Sequence, residues 1–176
     1  MIGQNLTQGE RRPIMHIRPE IDADKEAIYE TVRSAFNQAM EADLVDELRM
    51  SGDSELSLIA EEDGKVIGHI LFSRMQSPEG ALGLAPVSVL PDQQGKGIGS
   101  ALIQEGLARA KQAGWKAVFL LGEPDYYSRF GFTVEAALPF DTVYPVQYFV
   151  ALELESGGLP VSGGRAVYAQ PFLAVG

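Results

Sequence analysis

The chain has 176 residues, of which 45% are hydrophobic and 22% charged, with a formal charge of −10. That is the composition of one globular domain with an ordinary core. It has no cysteine and only two histidines, which excludes disulfides, thiol nucleophiles and Cys/His zinc sites.

No apolar run approaches the ~18 residues of a membrane span. The start, MIGQNLTQGERRP, lacks the apolar stretch of a secretory signal. A nucleic-acid binder needs a basic face, which an acidic chain does not suggest. The expectation is a cytoplasmic protein with no membrane, nucleic-acid or metal partner. Its charge suits long-range steering of a cationic small substrate.

Residues 1–13 are polar and read as a flexible extension, leaving 14–176 as a single domain. Met15 to Arg18 predicts a short strand ending at Pro19. Asp22 or Asp24 can cap a helix carrying Ile28, Val32 and Phe36 on one face. A second helix, Ala39 to Met50, gathers Leu44, Val45 and Leu48. Leu56–Glu61 and Lys65–Arg74, joined through Asp63-Gly64, predict a hairpin.

Leu84 to Leu90 reads as a strand closed by Pro91 and Asp92. A helix over 98–113 repeats Ile98, Leu102, Gly106 and Ala110 every fourth position. Gly106 costs about 1 kcal/mol of helix propensity, which implies close packing against a sheet. Lys116 to Leu121 predicts a buried strand, Asp125 to Phe130 a turn or two of helix stopped by Gly131. Phe132–Glu135, Gln147–Glu153 and Ala166–Ala169 read as further strands, with 156–176 a tail packed on the domain.

The segment Gln94-Gly95-Lys96-Gly97-Ile98-Gly99 lies between a strand and an amphipathic helix. Glycines permit close backbone approach, and a helix start presents free N–H groups and a positive dipole end. Together these bind anions, pyrophosphate above all. An ordinary Gly-rich turn is the plain alternative. A P-loop needs GxxxxGK followed by Ser or Thr, whereas Gly97 follows Lys96 here. A dinucleotide fingerprint needs GxGxxG within a βαβ unit, and a hairpin precedes this strand.

The remaining frame, Gln94-x-x-Gly97-x-Gly99, resembles the acyl-CoA signature (Q/R-x-x-G-x-G/A) of the GNAT N-acetyltransferase superfamily. LAPVSVLPDQQGKGIGSALI is similar to its strand 4 and helix 3, and YYSRFGF to its tyrosine-then-Gly-Phe block. IRPE, the early hairpin and the tail from LEL to VYAQPF extend the resemblance to the YhbS-like subgroup of acetyltransferases, over most of residues 14–172.

The resemblance implies an α/β (α+β) fold. Its mixed central sheet would have about seven strands, splayed between strands 4 and 5, with helices on both faces. It implies acetyl-CoA as co-substrate and a small-molecule or protein amine as acceptor. Val87, Ser88 and Val89 would pair with the pantetheine arm. Gln94, Gly95, Lys96, Gly97, Ile98, Gly99 and Ser100 would hold the pyrophosphate. Tyr127, four residues before Gly131, would be the general acid and also touch the cofactor. A phenol with a pKa of about 10 is protonated at neutral pH and can donate to a leaving thiolate.

Two departures stand out. Gly122-Glu123-Pro124 replaces the Asn that many relatives carry after strand 5, and strand 4 has no glutamate to act as base. A base would have to be Glu123, Asp125, Glu61, Glu62 or a water chain through Ser88, with His69 eligible by its pKa. Tyr126 would pack or face substrate. Phe140, Tyr144, Tyr148 and Phe149 fit core or pocket wall alike. A non-catalytic acyl-CoA sensor and a nucleotide-binding enzyme are the competing readings. A monomer and a homodimer are both compatible with the sequence.

Overall fold

The structure, a computed structural model, describes residues 14–175. The expected extension over 1–13, and residue 176, lie outside the described residues. The helices and strands run β1 (Met15–Pro19), α1 (Lys25–Phe36), α2 (Met40–Ser51), β2 (Ser54–Glu62), β3 (Lys65–Arg74), β4 (Ala81–Val89), α3 (Ile98–Gln112), β5 (Ala117–Leu121), α4 (Pro124–Tyr127), α5 (Val134–Ala137), β6 (Phe140–Asp141), β7 (Phe149–Glu153) and β8 (Gly164–Arg165).

Six strands form one mixed sheet in the order β1-β2-β3-β4-β5-β7, and β6 and β8 form a separate two-stranded sheet. All pairs in the large sheet are antiparallel except β4–β5. The hairpin β2–β3 turns at Asp63 and Gly64, both with positive φ (50° and 76°), the pairing that a two-residue turn between twisted strands requires.

The expected seven-strand sheet is therefore six strands plus a small partner sheet. Phe132–Glu135 is not a strand. Thr133 makes a single bridge to Ala151, and its hydroxyl then accepts from the Ala136 N–H at 3.1 Å, starting α5 instead. Pro145 precedes a 3₁₀ turn at Val146–Tyr148, which delays β7 to Phe149. In the tail, β8 forms at Gly164–Arg165, ahead of the expected Ala166–Ala169, where only Val167 bridges to Ser77. Asp24 does not cap α1 with its side chain. Its carboxylate accepts from the Ile21 N–H and pairs with Arg18, both at 2.8 Å, and that guanidinium holds its pKa below the usual value.

The sheet is buried on both faces. Ile70, Phe72, Leu82, Val118 and Val150 pack toward α3 through Leu102 and Ile103. Leu71, Ala81, Phe119 and Ala151 face α1, α2 and the tail, where Ile28, Val32, Leu48 and Phe172 close the second layer. Each fully buried side chain of this size contributes about 1.5–3 kcal/mol. Gly106 is explained here. A Cβ on it would meet the Phe72 ring at 2.4 Å, so its cost in propensity secures the contact between α3 and β3.

Candidate active site

The parallel ladder between β4 and β5 is short: Ala81, Leu82 and Gly83 pair with Ala117, Val118 and Phe119, and no pairing follows. At that point β4 carries a bulge. Leu84 opposes Phe72 and Val87 opposes Ile70, so Ala85 and Pro86 together face Leu71. A bulge bends a strand and adds twist, which turns β4 away from β5. Beyond it the two strands diverge, leaving one edge of β4 unpaired.

Register decides which groups face that opening. The Leu90 N–H donates to Ile67 O at 2.9 Å, so in the antiparallel β3–β4 pair Leu90 and Ser88 turn their peptides toward β3. Val87 and Val89 then turn theirs toward the opening. The Val89 carbonyl shows this directly, accepting from the Gln94 side-chain amide at 3.1 Å. Of the three β4 residues expected at the pantetheine, Val87 and Val89 turn their main-chain groups toward the opening, the Val89 carbonyl already held by Gln94. Ser88 does not. Its peptide faces His69, and its hydroxyl is buried without a partner on the α1–α2 face.

The chain leaves β4 through a 3₁₀ turn, Pro91–Gln93, and enters α3 at Gly97. Gly95 and Gly97 have φ of 77° and 81°, conformations an L side chain resists, and they aim the loop into the helix. The Ala101 N–H makes the bond to Gly97 O, so those of Ile98, Gly99 and Ser100 have no intrahelical partner. No acidic side chain lies in the first turn, and among the described residues Lys96 Nζ donates only to Gln93, at 3.1 Å. Free N–H groups, a positive helix end and one cation thus converge beside the free β4 edge.

Gly99 differs from its neighbours. Its φ is not left-handed, and a Cβ would touch only Val89 Cγ2, at 3.8 Å. Gly99→Ala is therefore tolerated by the fold and gains up to about 1 kcal/mol of helix propensity. If a pyrophosphate approaches this backbone, the same change weakens CoA binding. Thermal melts with and without CoA read both: higher stability alone, smaller CoA protection. Equal protection would place the anion elsewhere.

Tyr127 stands on α4, just after β5, on the α3 face. Its ring lies against the edges of Tyr126 (4.9 Å, 90°) and Phe132 (6.1 Å, 78°). Burial pushes its phenol pKa up, so it holds its proton well past neutrality. Gly122 accounts for the departure noted in the sequence. A Cβ there would sit 2.3 Å from Tyr127 Cε2, so glycine makes room for this ring. Tyr126 packs on the same side, its hydroxyl 3.4 Å from Ser100 Oγ and Arg129 stacked 4.5 Å over its ring. Ser100 is thereby linked to the tyrosine pair.

The base candidates separate. Glu61 and Glu62 lie on β2, across β3 from the opening, and Glu61 accepts from Arg18 at 3.2 Å. His69 is wholly buried, 2.8 Å from Ser57 through Nε2, and burial lowers its pKa to about 3. It is a neutral residue hydrogen-bonded within the layer, not a base for a ligand. Glu123 and Asp125 are exposed beside the end of β5. Among the described residues no group of three or more His, Asp or Glu could hold a metal ion, and no helix is long and apolar enough to cross a membrane.

The acetyltransferase (GNAT) family model matches residues 22–132, well over half of the chain. The chain belongs to the acetyltransferase (GNAT) family. It is 40% identical over 141 residues to the uncharacterized N-acetyltransferase YjhQ of Escherichia coli K12, covering 76% of this chain and 75% of that protein. It is also 40% identical over 126 residues to the uncharacterized N-acetyltransferase YhbS of the same strain, covering 69% and 75%. Among solved structures, E. coli YhbS in complex with CoA superposes with a TM-score of 0.87 at 32% identity, covering 97% of this chain and 98% of that one. A GNAT acetyltransferase from Brucella melitensis with acetyl-CoA gives 0.77 at 39% identity, covering 90% and 98%. The GNAT fold thus extends over the tail as well, where Ala166, Tyr168, Ala169 and Phe172 are buried.

The region missed by sequence reasoning lies on the opposite face. A pocket of about 670 Å³ opens between the β6–β7 loop and the tail, with Asp141, Tyr144, Arg165, Val167 and Tyr168 in its walls. Tyr144 and Tyr168 therefore line a pocket, while Phe140 and Phe149 pack on Phe119 in the core at 5.3 and 5.4 Å. The signal was the Gly83–Tyr168 pair, 85 positions apart and invisible to local periodicity: a Cβ on Gly83 would meet the Tyr168 ring at 2.6 Å.

Proposed function

We propose that this chain transfers an acetyl group from acetyl-CoA to a primary amine by direct attack, with Tyr127 as general acid. The observation that carries the reading is the unpaired β4 edge leading through the Pro91–Gln93 turn to the free N–H groups of α3. An extended amide-bearing arm ending in a pyrophosphate fits that arrangement. It would add to β4 as a strand does, on the peptides of Val87 and Val89, with its phosphates at Ile98, Gly99 and Ser100. Acetyl-CoA in the Brucella structure and CoA in YhbS support the same donor here.

The amine nitrogen forms a bond to the thioester carbonyl carbon, the C–S bond breaks, and the sulfur leaves as thiolate. The Val89 N–H, turned to the opening, can donate to the carbonyl oxygen as negative charge develops. Tyr127 gives its proton to the thiolate, and the proton lost from the amine passes to water or to exposed Glu123. No covalent enzyme intermediate is needed.

Thiol release from acetyl-CoA is measured across a panel of amines. Amine-dependent release with formation of the N-acetyl product is expected. Tight CoA binding with no release for any amine would instead support a non-catalytic acyl-CoA-binding module.

A further inference from the structure

Three buried side-chain atoms have no protein partner among the described residues: His69 Nδ1, Ser73 Oγ and Ser88 Oγ. Leaving such a group unbonded in the interior costs more than an ordinary hydrogen bond contributes, so each calls for a partner. Two of the three are neighbours. His69 and Ser88 are register partners across β3 and β4, and side chains directly opposite each other stand on the same face of a sheet. Both are buried. Ser73 lies on the far side of the bulge, opposite Gly83, and is a separate case.

The pair continues into β2. Ser57 Oγ stands 2.8 Å from His69 Nε2, which leaves Nδ1 as the unbonded end of the imidazole. Ser57, His69 and Ser88 thus form a polar line over three strands, on the face where Ile59 and Leu71 pack into the α1–α2 layer. The line is complete except between Nδ1 and Ser88 Oγ. One water suits that place. It can donate to one atom and accept from the other in either imidazole tautomer, because a serine hydroxyl rotates to match.

The place matters to the candidate active site. β4 pairs with β5 only as far as Gly83, and the bulge at Ala85 and Pro86 separates residues 87–89 from that ladder. Those three residues are held on one side only, by β3. Ser88 is the middle one, flanked by Val87 and Val89, whose peptides turn toward the opening. Groups that stabilise developing charge must be held to within about 0.5 Å of their productive place.

We propose that one buried water bridges His69 Nδ1 and Ser88 Oγ, and that through it His69 and Ser88 are positioning residues for the Val87 and Val89 peptides. The line Ser57–His69–water–Ser88 ties the one-sided end of β4 to β3 and β2. His69 and Ser88 act on the strand, not on the reacting atoms. The positioning role rests on the N-acetyltransferase reading above, and the water does not.

A crystal structure of the full-length protein with CoA tests the water. One peak within about 2.6–3.2 Å of both atoms is expected. No peak bridging the two atoms overturns the proposal. Steady-state kinetics of thiol release test the positioning role. Ser88→Ala is expected to lower kcat about five- to tenfold, the equivalent of one hydrogen bond's worth of alignment in the transition state. Its Kd for CoA, by calorimetry, should stay within about twofold of wild type, because the anion contacts at α3 are untouched. Ser88→Thr restores a hydroxyl and is expected to recover most of the lost kcat. Circular dichroism melts verify that each variant is folded. Wild-type kcat in Ser88→Ala, or equal losses in Ser88→Ala and Ser88→Thr, overturns the positioning role. No thiol release with any amine by the wild-type protein, with the water in place, overturns the N-acetyltransferase reading and the positioning role with it.

Discussion

Tyr127→Phe lowers kcat by roughly 10²-fold or more, the usual contribution of a positioned general acid, and leaves CoA affinity unchanged. The variant keeps the ring, which packs with Tyr126, Phe130 and Phe132 and occupies the space beside Gly122. Only the donor oxygen is lost. The pH profile separates this from a packing role. A general acid works while protonated, so its rate falls as pH rises through its pKa. Burial raises the Tyr127 pKa above the ordinary 10.0, so the wild-type alkaline limb lies beyond that value and is absent from Tyr127→Phe. Gly122→Ala provides an independent probe. Its Cβ must displace the intact ring, so kcat falls although the phenol is still present. Unchanged turnover in Tyr127→Phe would remove Tyr127 from proton transfer. The assays are steady-state kinetics of thiol release and titration of CoA by calorimetry.

Local signals carried the hairpin and the strand–turn–helix segment of the candidate site. Asp63-Gly64 specifies a turn, Gly95 and Gly97 specify left-handed backbone, and the apolar repeat from Ile98 specifies the helix. Each depends on a few neighbouring residues, so each was legible without the fold. The strand count failed where a local signal was overruled. Phe132–Glu135 has strand composition, but the Thr133 hydroxyl satisfies the Ala136 N–H and starts a helical turn, a bond worth about 1 kcal/mol. Features set by long-range packing were not legible at all. Gly122 looked like the loss of a contact until the Tyr127 ring was seen to occupy its missing Cβ. The resemblance places Ser88 at the cofactor together with Val87 and Val89, but strand periodicity cannot tell which of the three peptides face a neighbouring strand. That follows from the register at Leu90 and Ile67, fixed across a hairpin. The pocket between the β6–β7 loop and the tail needs β6, β8 and the tail together, which no window of sequence contains.

Those same buried polar groups make stability depend on acid. The imidazole of His69 is fully buried, hydrogen-bonded to Ser57, with Nδ1 unpartnered and the Arg49 guanidinium adding repulsion. Arg49 itself is neutralised by Glu20 and Asp46, each at 2.6 Å, so its repulsion is secondary to the cost of burial. His69 has its pKa lowered from 6.5 to about 3 on folding. In the unfolded chain it binds a proton first as pH drops. Its contribution is thus intact above 6.5 and is lost as pH falls toward 3, at up to about 1.4 kcal/mol per pH unit, or on the order of 5 kcal/mol in all. Asp24 acts in a lower window. Arg18 depresses its pKa below 3.8, so its contribution persists above 3.8 and fades below. His69→Gln keeps an amide for Ser57 and removes the titration. Urea unfolding from pH 7 to pH 4 should therefore show a steep loss for wild type and a flatter curve for His69→Gln. The two curves converge as pH falls, because the variant begins less stable and loses less. Parallel curves would mean that His69 can take up a proton in the folded state, which would return it to the list of bases for the acceptor amine.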